Sequence, residues 1–242
     1  MRIPRIYTPQ PLAAGATLTL EAEPSRHLAL VLRLGAGDTV TLFNGDGRDY
    51  PARIETPARA GARLSVAAPG EPEPPPALPV TLALGVSKGE RMDFALQKSV
   101  ELGVEAIQPL FTERSVVRLR DERLQRRLQH WRRVIVAACE QSGRRCVPDL
   151  AEPLGLAPWL EQQPGGLLLD HRSEWTLPAL PPPGSDGVTL LIGPEGGLAP
   201  RERDSARAHG FTGVRLGPRI MRTETAPIAA IAAIQALWGD FR

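Results

Sequence analysis

From residue 80 to the end of the chain, short apolar runs alternate with longer runs that carry apolar residues at helical spacing. VTLALGV (80–86) precedes RMDFALQKSVELG (91–103), and EAIQPLF (105–111) precedes a long helical run from Asp121 to Gln141. GLLLD (166–170) and VTLLIG (188–193) follow, the latter leading into PRERDSARAHG (200–210), and GVRLG (213–217) leads into a final helix. Strands that alternate with helices in this way predict a mostly parallel sheet covered on both faces, an α/β fold. Before residue 70 the rhythm differs. DTVTLFN (38–44) and ARLSVAA (62–68) are β-rich runs punctuated by Gly, Asp and Pro, the pattern of a small barrel or sandwich. One helical run, SRHLALVLRL, interrupts them, with Ser25 placed as its N-cap.

Between the two patterns lies EPEPPPALP (71–79), which can form neither helix nor central strand and predicts a stiff extended linker. The expected organisation is a β domain over 1–72, a linker over 73–79 and an α/β domain over 80–242. The length suits one large or two small domains. No stretch approaches the roughly 18 consecutive apolar residues of a membrane span, and MRIPRIYTPQ lacks a signal-peptide core, so a cytoplasmic protein is expected. Cys139 and Cys146 lack CxxC spacing and the four histidines are scattered, so no metal site is expected. Neither cysteine has an evident partner base, and both read as buried apolar fillers.

Charge changes the picture by its placement. The formal net charge is only +2, and of the 29 basic residues all but Lys88 and Lys98 are arginines, a bias that codon composition could also produce. Residues 114–145 hold ten arginines against Asp121, Glu122 and Glu140. Arg presents a rigid fork of donors that suits phosphate and stacks on bases, so this face predicts RNA or DNA as partner; a solvated helix with a few ion pairs is the alternative.

Two segments carry candidate chemistry. GPEGG (193–197) directly follows the strand VTLLI, at the carboxyl end where open α/β sheets bind ligands. Gly196 and Gly197 permit positive φ and close backbone approach, and Pro200 suits the first turn of the next helix. The spacing is neither GxGxxG nor GxxxxGK[ST], which excludes the usual dinucleotide and P-loop readings. In the second segment, Gly217 and Pro218 end a strand, and Arg219, Arg222, Thr223, Glu224 and Thr225 crowd the approach to Pro227. The helix beyond it, IAAIAAIQALW, has almost no polar face and must be buried, against the sheet or another subunit. Two readings of the polar cluster stand. Thr223 and Thr225 are N-caps or ligand contacts; Arg222 and Glu224 are an ion pair or catalytic groups.

GPEGG followed by LGPRIMRTETAPIAAI resembles the RsmE family of ribosomal RNA methyltransferases, within the SPOUT superfamily. Family-like segments run through the chain in order: HLALVLR (27–33), KGERMDFALQKSVELGV (88–104), ERS (113–115) and EQSGR (140–144). Two positions depart from the pattern. Met221 stands where leucine is usual, a swap of similar volume, and Ala199 stands where a Ser or Thr commonly caps the helix, a loss of roughly 1 kcal/mol.

The resemblance implies an N-terminal PUA-like β-barrel, a C-terminal SPOUT α/β domain with a trefoil knot, a homodimer, and S-adenosylmethionine as methyl donor. It implies methylation at N3 of one uridine in 16S ribosomal RNA, within an assembled small subunit. The donor pocket is expected from Leu191, Gly193, Glu195, Gly196 and Gly197 on one side and Leu216, Gly217, Ile220, Met221, Arg222 and Ala226 on the other, with Leu169, at the end of the strand GLLLD, closing it. Arg222 would stabilise charge developing on the uracil carbonyls, and Glu224 would accept the N3 proton or position the group that does. RNA is expected at Arg26, Arg33, Lys88, Arg91, Arg114, Arg118 and Arg144, with His27 a satisfied structural histidine. Two further readings fit the same Arg face: a related methyltransferase with another RNA target, and a non-catalytic ribosome-associated RNA-binding protein.

Overall fold

The computed structural model describes residues 3–115 and 121–241, so Arg118 lies outside the described residues. Contacts divide the chain into a unit of Met1–Pro75 with Val136–Val147 and a unit of Pro76–Ile135 with Pro148–Arg242.

The first unit is built on one five-stranded mixed sheet. Its strands are β1 (Arg5–Tyr7), β2 (Thr17–Thr19), β3 (Thr39–Phe43), β4 (Tyr50–Thr56) and β5 (Arg63–Val66), in the order β1-β3-β4-β5-β2. β1 runs parallel to β3, and the remaining pairs are antiparallel. Alternation drives the core here: Tyr50, Ala52 and Ile54 of β4 point inward with Val40, Leu42, Leu64 and Leu28, while the residues between them stay in solvent. Helix α1 (Ala22–Arg26) continues into a π-helical turn, His27–Val31.

Ser25 is not the N-cap of this helix; Glu21 holds that position. The Ser25 side chain is fully buried, donates to the Leu20 carbonyl at 3.2 Å and accepts from the Ala62 amide at 3.0 Å. It ties the helix to the strand region instead of starting it. His27 also differs from expectation: it is exposed, and its ring, unlike its backbone, makes no hydrogen bond among the described residues.

The second unit carries a seven-stranded sheet, all parallel. In chain order the elements from here are β6 (Val80–Gly85), α2 (Glu90–Glu101), β7 (Ala106–Phe111), α3 (Asp121–Ser142), whose residues from Val136 onward belong to the first unit, β8 (Asp149–Leu150) and β9 (Leu154–Gly155). They continue with α4 (Leu156–Leu160), β10 (Gly166–Leu169), β11 (Val188–Ile192), α5 (Pro200–Ala208), β12 (Phe211–Val214) and α6 (Thr225–Trp238). The path is β12-β10-β11-β6-β7-β8, with β9 also on β7. After β6 the chain builds outward to β7 and β8, then crosses to the other side for β10, β11 and β12. Strands buried on both faces need near-continuous apolar runs, and Leu82, Leu84, Leu168, Leu190 and Leu191 are all 1% exposed or less. The two-residue strands β8 and β9 and the short α4 are too brief to leave a periodic signal, and no element was expected there. β12 begins two residues before the expected run, because Phe211 pairs with Gly166 and packs on Trp159 at 5.6 Å.

Two helix starts show how the sequence resolves its capping. Ala199 has no side-chain acceptor, but its amide donates to Glu202 Oε2 at 2.8 Å, half of a capping box, so the α5 start keeps one compensated donor. The N-cap of α6 is Glu224 and no side chain caps that helix. Helix α6 packs on α2, burying Ala226, Ala230, Ile231 and Ile234. Its one interior polar residue, Gln235, is buried and donates to the Leu102 carbonyl at 3.2 Å.

Candidate active site

Three loops at the carboxyl ends of β10, β11 and β12 surround a cavity of 460 Å³. Parallel strands bring these ends to one edge of the sheet, and a crevice forms where successive connections diverge. Residues 168–172 supply one wall, 192–198 a second, and the segment from Leu216 to Ala226 a third. Arg91, Arg114 and Arg203 complete the lining.

The loop after β11 shows bare backbone, because no room exists for side chains. A Cβ on Gly193 would lie 2.8 Å from the Leu198 amide nitrogen, and one on Gly85, at the end of β6, would overlap Pro194. Gly197 adopts φ +64, which few residues tolerate. Glu195 points back across the loop: its Oε1 accepts from the Lys88 amide at 3.0 Å and faces Arg91 at 3.5 Å. Burial pushes this carboxyl upward, but the Lys88 amide and Arg91 outweigh it and hold it below the ordinary carboxylate value. Its Oε2 is buried with no partner.

Thr223 joins the second and third walls. Its buried hydroxyl donates to the Gly193 carbonyl at 3.2 Å and lies 3.2 Å from the Ser87 hydroxyl, which in turn reaches the Gly85 carbonyl. Of the two readings of this threonine, capping is excluded by these bonds. The Arg222 carbonyl accepts from the Thr225 and Ala226 amides, turning the chain into α6. No ion pair joins Arg222 to Glu224 among the described residues. Arg222 is exposed, whereas Glu224 is half-buried with its Oε2 buried and unpartnered. A buried carboxylate oxygen without a donor is costly and marks a group held ready for one.

Arg203 joins the first and second walls. Its NH1 donates to the Leu198 carbonyl at 2.7 Å, and its Nε faces Asp170 Oδ2 at 3.6 Å. Asp170 is 4% exposed and also receives Arg207 at 2.9 Å.

Of the residues expected to form a pocket, Leu169, Gly193, Glu195, Gly196, Gly197, Leu216, Ile220, Met221, Arg222 and Ala226 line this cavity. Leu191 does not, being fully buried in β11 between Ala83 and Leu168, and Gly217 lies outside the lining in an exposed turn. Asp170, His171, Arg172, Arg203 and Arg219 line it without having been expected there, and Thr223, for which ligand contact was one of two readings, lines it too. The only available signal was position: Asp170 and the residues after it end a parallel strand, whereas Arg203 sits in a helix that reads as a solvated charge run.

The expected RNA contacts separate as well. Arg91 and Arg114 line the cavity, Arg114 donating to the Gly196 carbonyl at 3.0 Å, and Lys88 is exposed beside Glu195. Arg26 and Arg33 are exposed on the first unit, Arg33 at φ +56. Arg144 corrects the expectation: its side chain is 11% exposed and faces Glu73 at 3.7 Å, so its charge is taken up internally. On α3, Arg123, Arg126, Arg132 and Arg133 are exposed while Leu128, Trp131 and Ile135 are buried. Cys139 is fully buried, and desolvation pushes its thiol up to about 12.

The RNA methyltransferase domain family matches residues 73–235, and the RNA methyltransferase PUA domain family matches residues 20–64. Ribosomal RNA small subunit methyltransferase E of Buchnera aphidicola (subsp. Schizaphis graminum) is 32% identical over 99% of this chain and 98% of its own length. The same-named protein of Synechocystis is 34% identical over 92% of this chain and 74% of its own. Ribosomal RNA small subunit methyltransferase E from Neisseria gonorrhoeae, solved bound to S-adenosyl methionine, has a TM-score of 0.92 at 40% identity, covering 100% of both chains. A methyltransferase of Legionella pneumophila, solved with bound cofactor SAM, reaches 0.95 at 38% identity, again over 100% of both. Unrelated chains do not agree in sequence and fold over their whole length, and this chain belongs to the ribosomal RNA small subunit methyltransferase E family.

Proposed function

We propose that this protein is an S-adenosylmethionine-dependent methyltransferase that acts on N3 of a uridine in 16S ribosomal RNA. The observation that carries the reading is Glu224 Oε2, a buried carboxylate oxygen without a donor, on the wall of a cavity built from the family's two motif segments. Relatives named for small-subunit ribosomal RNA match along the whole chain, and two solved neighbours hold S-adenosylmethionine.

The residues present fit that donor. A cavity of 460 Å³ is within the usual range for a cofactor-sized ligand. Leu169, Leu198, Leu216 and Met221 offer apolar surface for an adenine ring, and the backbone bared at Gly193 and Gly197 offers amides and carbonyls for its polar edge. Glu195 and Glu224 supply negative charge for a cationic ligand. When bound, the donor supplies a methyl group on a cationic sulfur, an electrophile that needs no covalent nucleophile from the protein.

The protein's own tasks are then few. Glu224 accepts the N3 proton of uracil, and Arg222 faces the carbonyl oxygens that gain negative charge as it leaves. Thr223, fixed between these two by Gly193 and Ser87, limits how far either can move. A uridine in helical RNA hides its N3, so the base enters flipped or from an unpaired segment of the assembled small subunit. Arg91, Arg114 and exposed arginines such as Arg26 and Arg33 meet the RNA. Two copies of the chain pair through apolar surface that one copy leaves in solvent, where Phe94, Leu237 and Phe241 are 45%, 37% and 50% exposed. Among the described residues no helix is long and apolar enough to cross a membrane, and the protein acts in the cytoplasm, where ribosomal subunits are assembled.

The test uses small subunits from a strain that lacks this methylation, incubated with the protein and labelled donor and digested to nucleosides. The expected product is 3-methyluridine. Label in another nucleoside, or no transfer at all, overturns the reading.

A further inference from the structure

At the end of β10 the chain makes a detour. Leu169 pairs with Val214 of β12, and the Asp170 amide donates to the Val214 carbonyl at 2.9 Å. The next residue of that edge, Arg215, pairs not with Asp170, as the register would have it, but with Thr176, and its amide donates to the Trp175 carbonyl at 2.9 Å. Residues 171–175 therefore leave the sheet and return at almost the same register. The register thus slips by six residues, from 170 to 176, at one point of the strand pair, an oversized bulge, and bulges re-aim side chains at functional edges.

The detour is held at several points. Asp170 Oδ1 accepts from the Arg172 amide at 3.1 Å, and the Asp170 carbonyl accepts from the Ser173 amide at 3.0 Å. Ser173 packs so closely on β12 that a Cβ on Gly213 would overlap its hydroxyl. Such a loop is built, and what it presents is specific. His171 and Arg172 line the cavity. Trp175 is 55% exposed and packs on no other ring among the described residues. The Arg172 side chain is 57% exposed and its NH1 faces Asp170 Oδ1 at 3.5 Å, an ion pair that leaves the outer side of the guanidinium in solvent.

Indole is large and apolar, and leaving it in water three residues beyond the cavity-lining Arg172 needs an occupant. Charge indicates which. Six arginines line the cavity against Asp170, Glu195 and Glu224, and Arg219 and Arg222 make no ion pair or side-chain hydrogen bond among the described residues. An anionic ligand with flat apolar faces matches both features, and single-stranded RNA is such a ligand: its bases stack on aromatic side chains and its phosphates meet arginine.

We propose that residues 171–175 form a platform for the RNA beside the cavity, with the Trp175 indole stacking on a base next to the one that enters and Arg172 meeting its phosphate. The inference rests on the methyltransferase reading above. It assigns Trp175 a positioning role and leaves the chemistry to the residues inside the cavity.

The test is steady-state kinetics of Trp175→Ala and Trp175→Phe on small subunits that lack the methyl group, with donor affinity measured by calorimetry and subunit state by analytical ultracentrifugation. Loss of one stacked base raises KM for the subunits roughly tenfold in Trp175→Ala, with kcat and donor Kd within about twofold of the parent. Trp175→Phe restores most of the lost affinity, which a merely structural role would not do selectively for RNA. An unchanged KM in Trp175→Ala overturns the platform, as does a shift of Trp175→Ala to monomer at unchanged RNA affinity, which would make Trp175 a subunit contact. If the unaltered protein transfers no methyl group to the subunits, the proposed function itself fails, an outcome distinct from both.

Discussion

The Thr223 hydroxyl donates to the Gly193 carbonyl at 3.2 Å, joining positions 30 residues apart in the chain. The bond fastens the polar segment before α6 to the glycine loop after β11, so two walls of the cavity are held by one side chain. Thr223→Val keeps the shape and removes the donor. It is expected to cost about 1 kcal/mol in stability and to lower Tm by roughly 2–4 °C, because the Gly193 carbonyl and the Ser87 hydroxyl each lose a partner. Thr223→Ser should retain most of both. Thermal denaturation of the pair checks this, and equal Tm values for Val and the parent would show that the bond carries no weight.

Glu224→Gln removes the proton acceptor while preserving size. The expected result is a fall in kcat of roughly 10²- to 10⁴-fold with donor affinity close to that of the parent. Single-turnover transfer at saturating donor, with calorimetry alongside, separates the two quantities. A variant with near-normal turnover would transfer the role of base to another group.

Gly193→Ala tests whether the glycine loop must show bare backbone. The added Cβ would sit 2.8 Å from the Leu198 nitrogen and 3.0 Å from the Gly197 carbonyl carbon, both backbone atoms that cannot swing aside. Overpacking of this kind costs about 1–3 kcal/mol, and because the loop is also a wall of the cavity, donor affinity should fall roughly tenfold or more.

Two cysteines report on burial. Desolvation holds the Cys139 thiol up to about 12, so at pH 8 almost none of it is thiolate, and it is also fully buried. Cys146 is partly exposed. Iodoacetamide at pH 8 should therefore modify Cys146 in the native protein and spare Cys139, both reacting after denaturation; peptide mapping reads the sites.

Glu140 gives a pH signature. Burial raises its carboxyl above the ordinary value, against the opposing pull of the Tyr7 amide, whose bond to Oε1 is 3.0 Å, and of His27 and Arg5. A carboxyl raised on folding contributes stability that is fully present below its unfolded value, ordinarily 4.5, and lost as pH rises through the folded value. Glu140→Gln keeps an acceptor for the Tyr7 amide without the buried charge. Its Tm should exceed that of the parent at pH 7.5, and the difference should shrink as pH falls toward 4.5. A variant less stable than the parent at pH 7.5 would reverse the sign.

Much of this site is visible in the linear chain, and what is hidden has physical causes. GPEGG after an apolar strand and the polar cluster before α6 are local patterns, and both prove to face the cavity. Thr223 was ambiguous because capping and tertiary bonding select the same hydroxyl. Arg144 counted toward a basic face because a sequence lists charges without their partners, and Glu73 is 71 positions away. Asp170 and Arg203 escaped for the same reason. Each is ordinary on its own element and acquires meaning only when the other is 3.6 Å away.

By itself the sequence determined the alternation of strands and helices, the Pro-rich break, the loops that carry glycine and polar residues, and a family likeness along the whole length. These are local properties: burial on one face of a strand or helix writes its own period, and a turn writes its own glycine. Only the tertiary structure decided that three loops distant in the chain, at 168–172, 192–198 and 216–226, meet at one sheet edge, that Arg203 and Thr223 bind those loops together, and that Glu224 keeps an oxygen without a donor. Contacts between distant positions depend on the order in which strands take their places in the sheet, and no local period records that order.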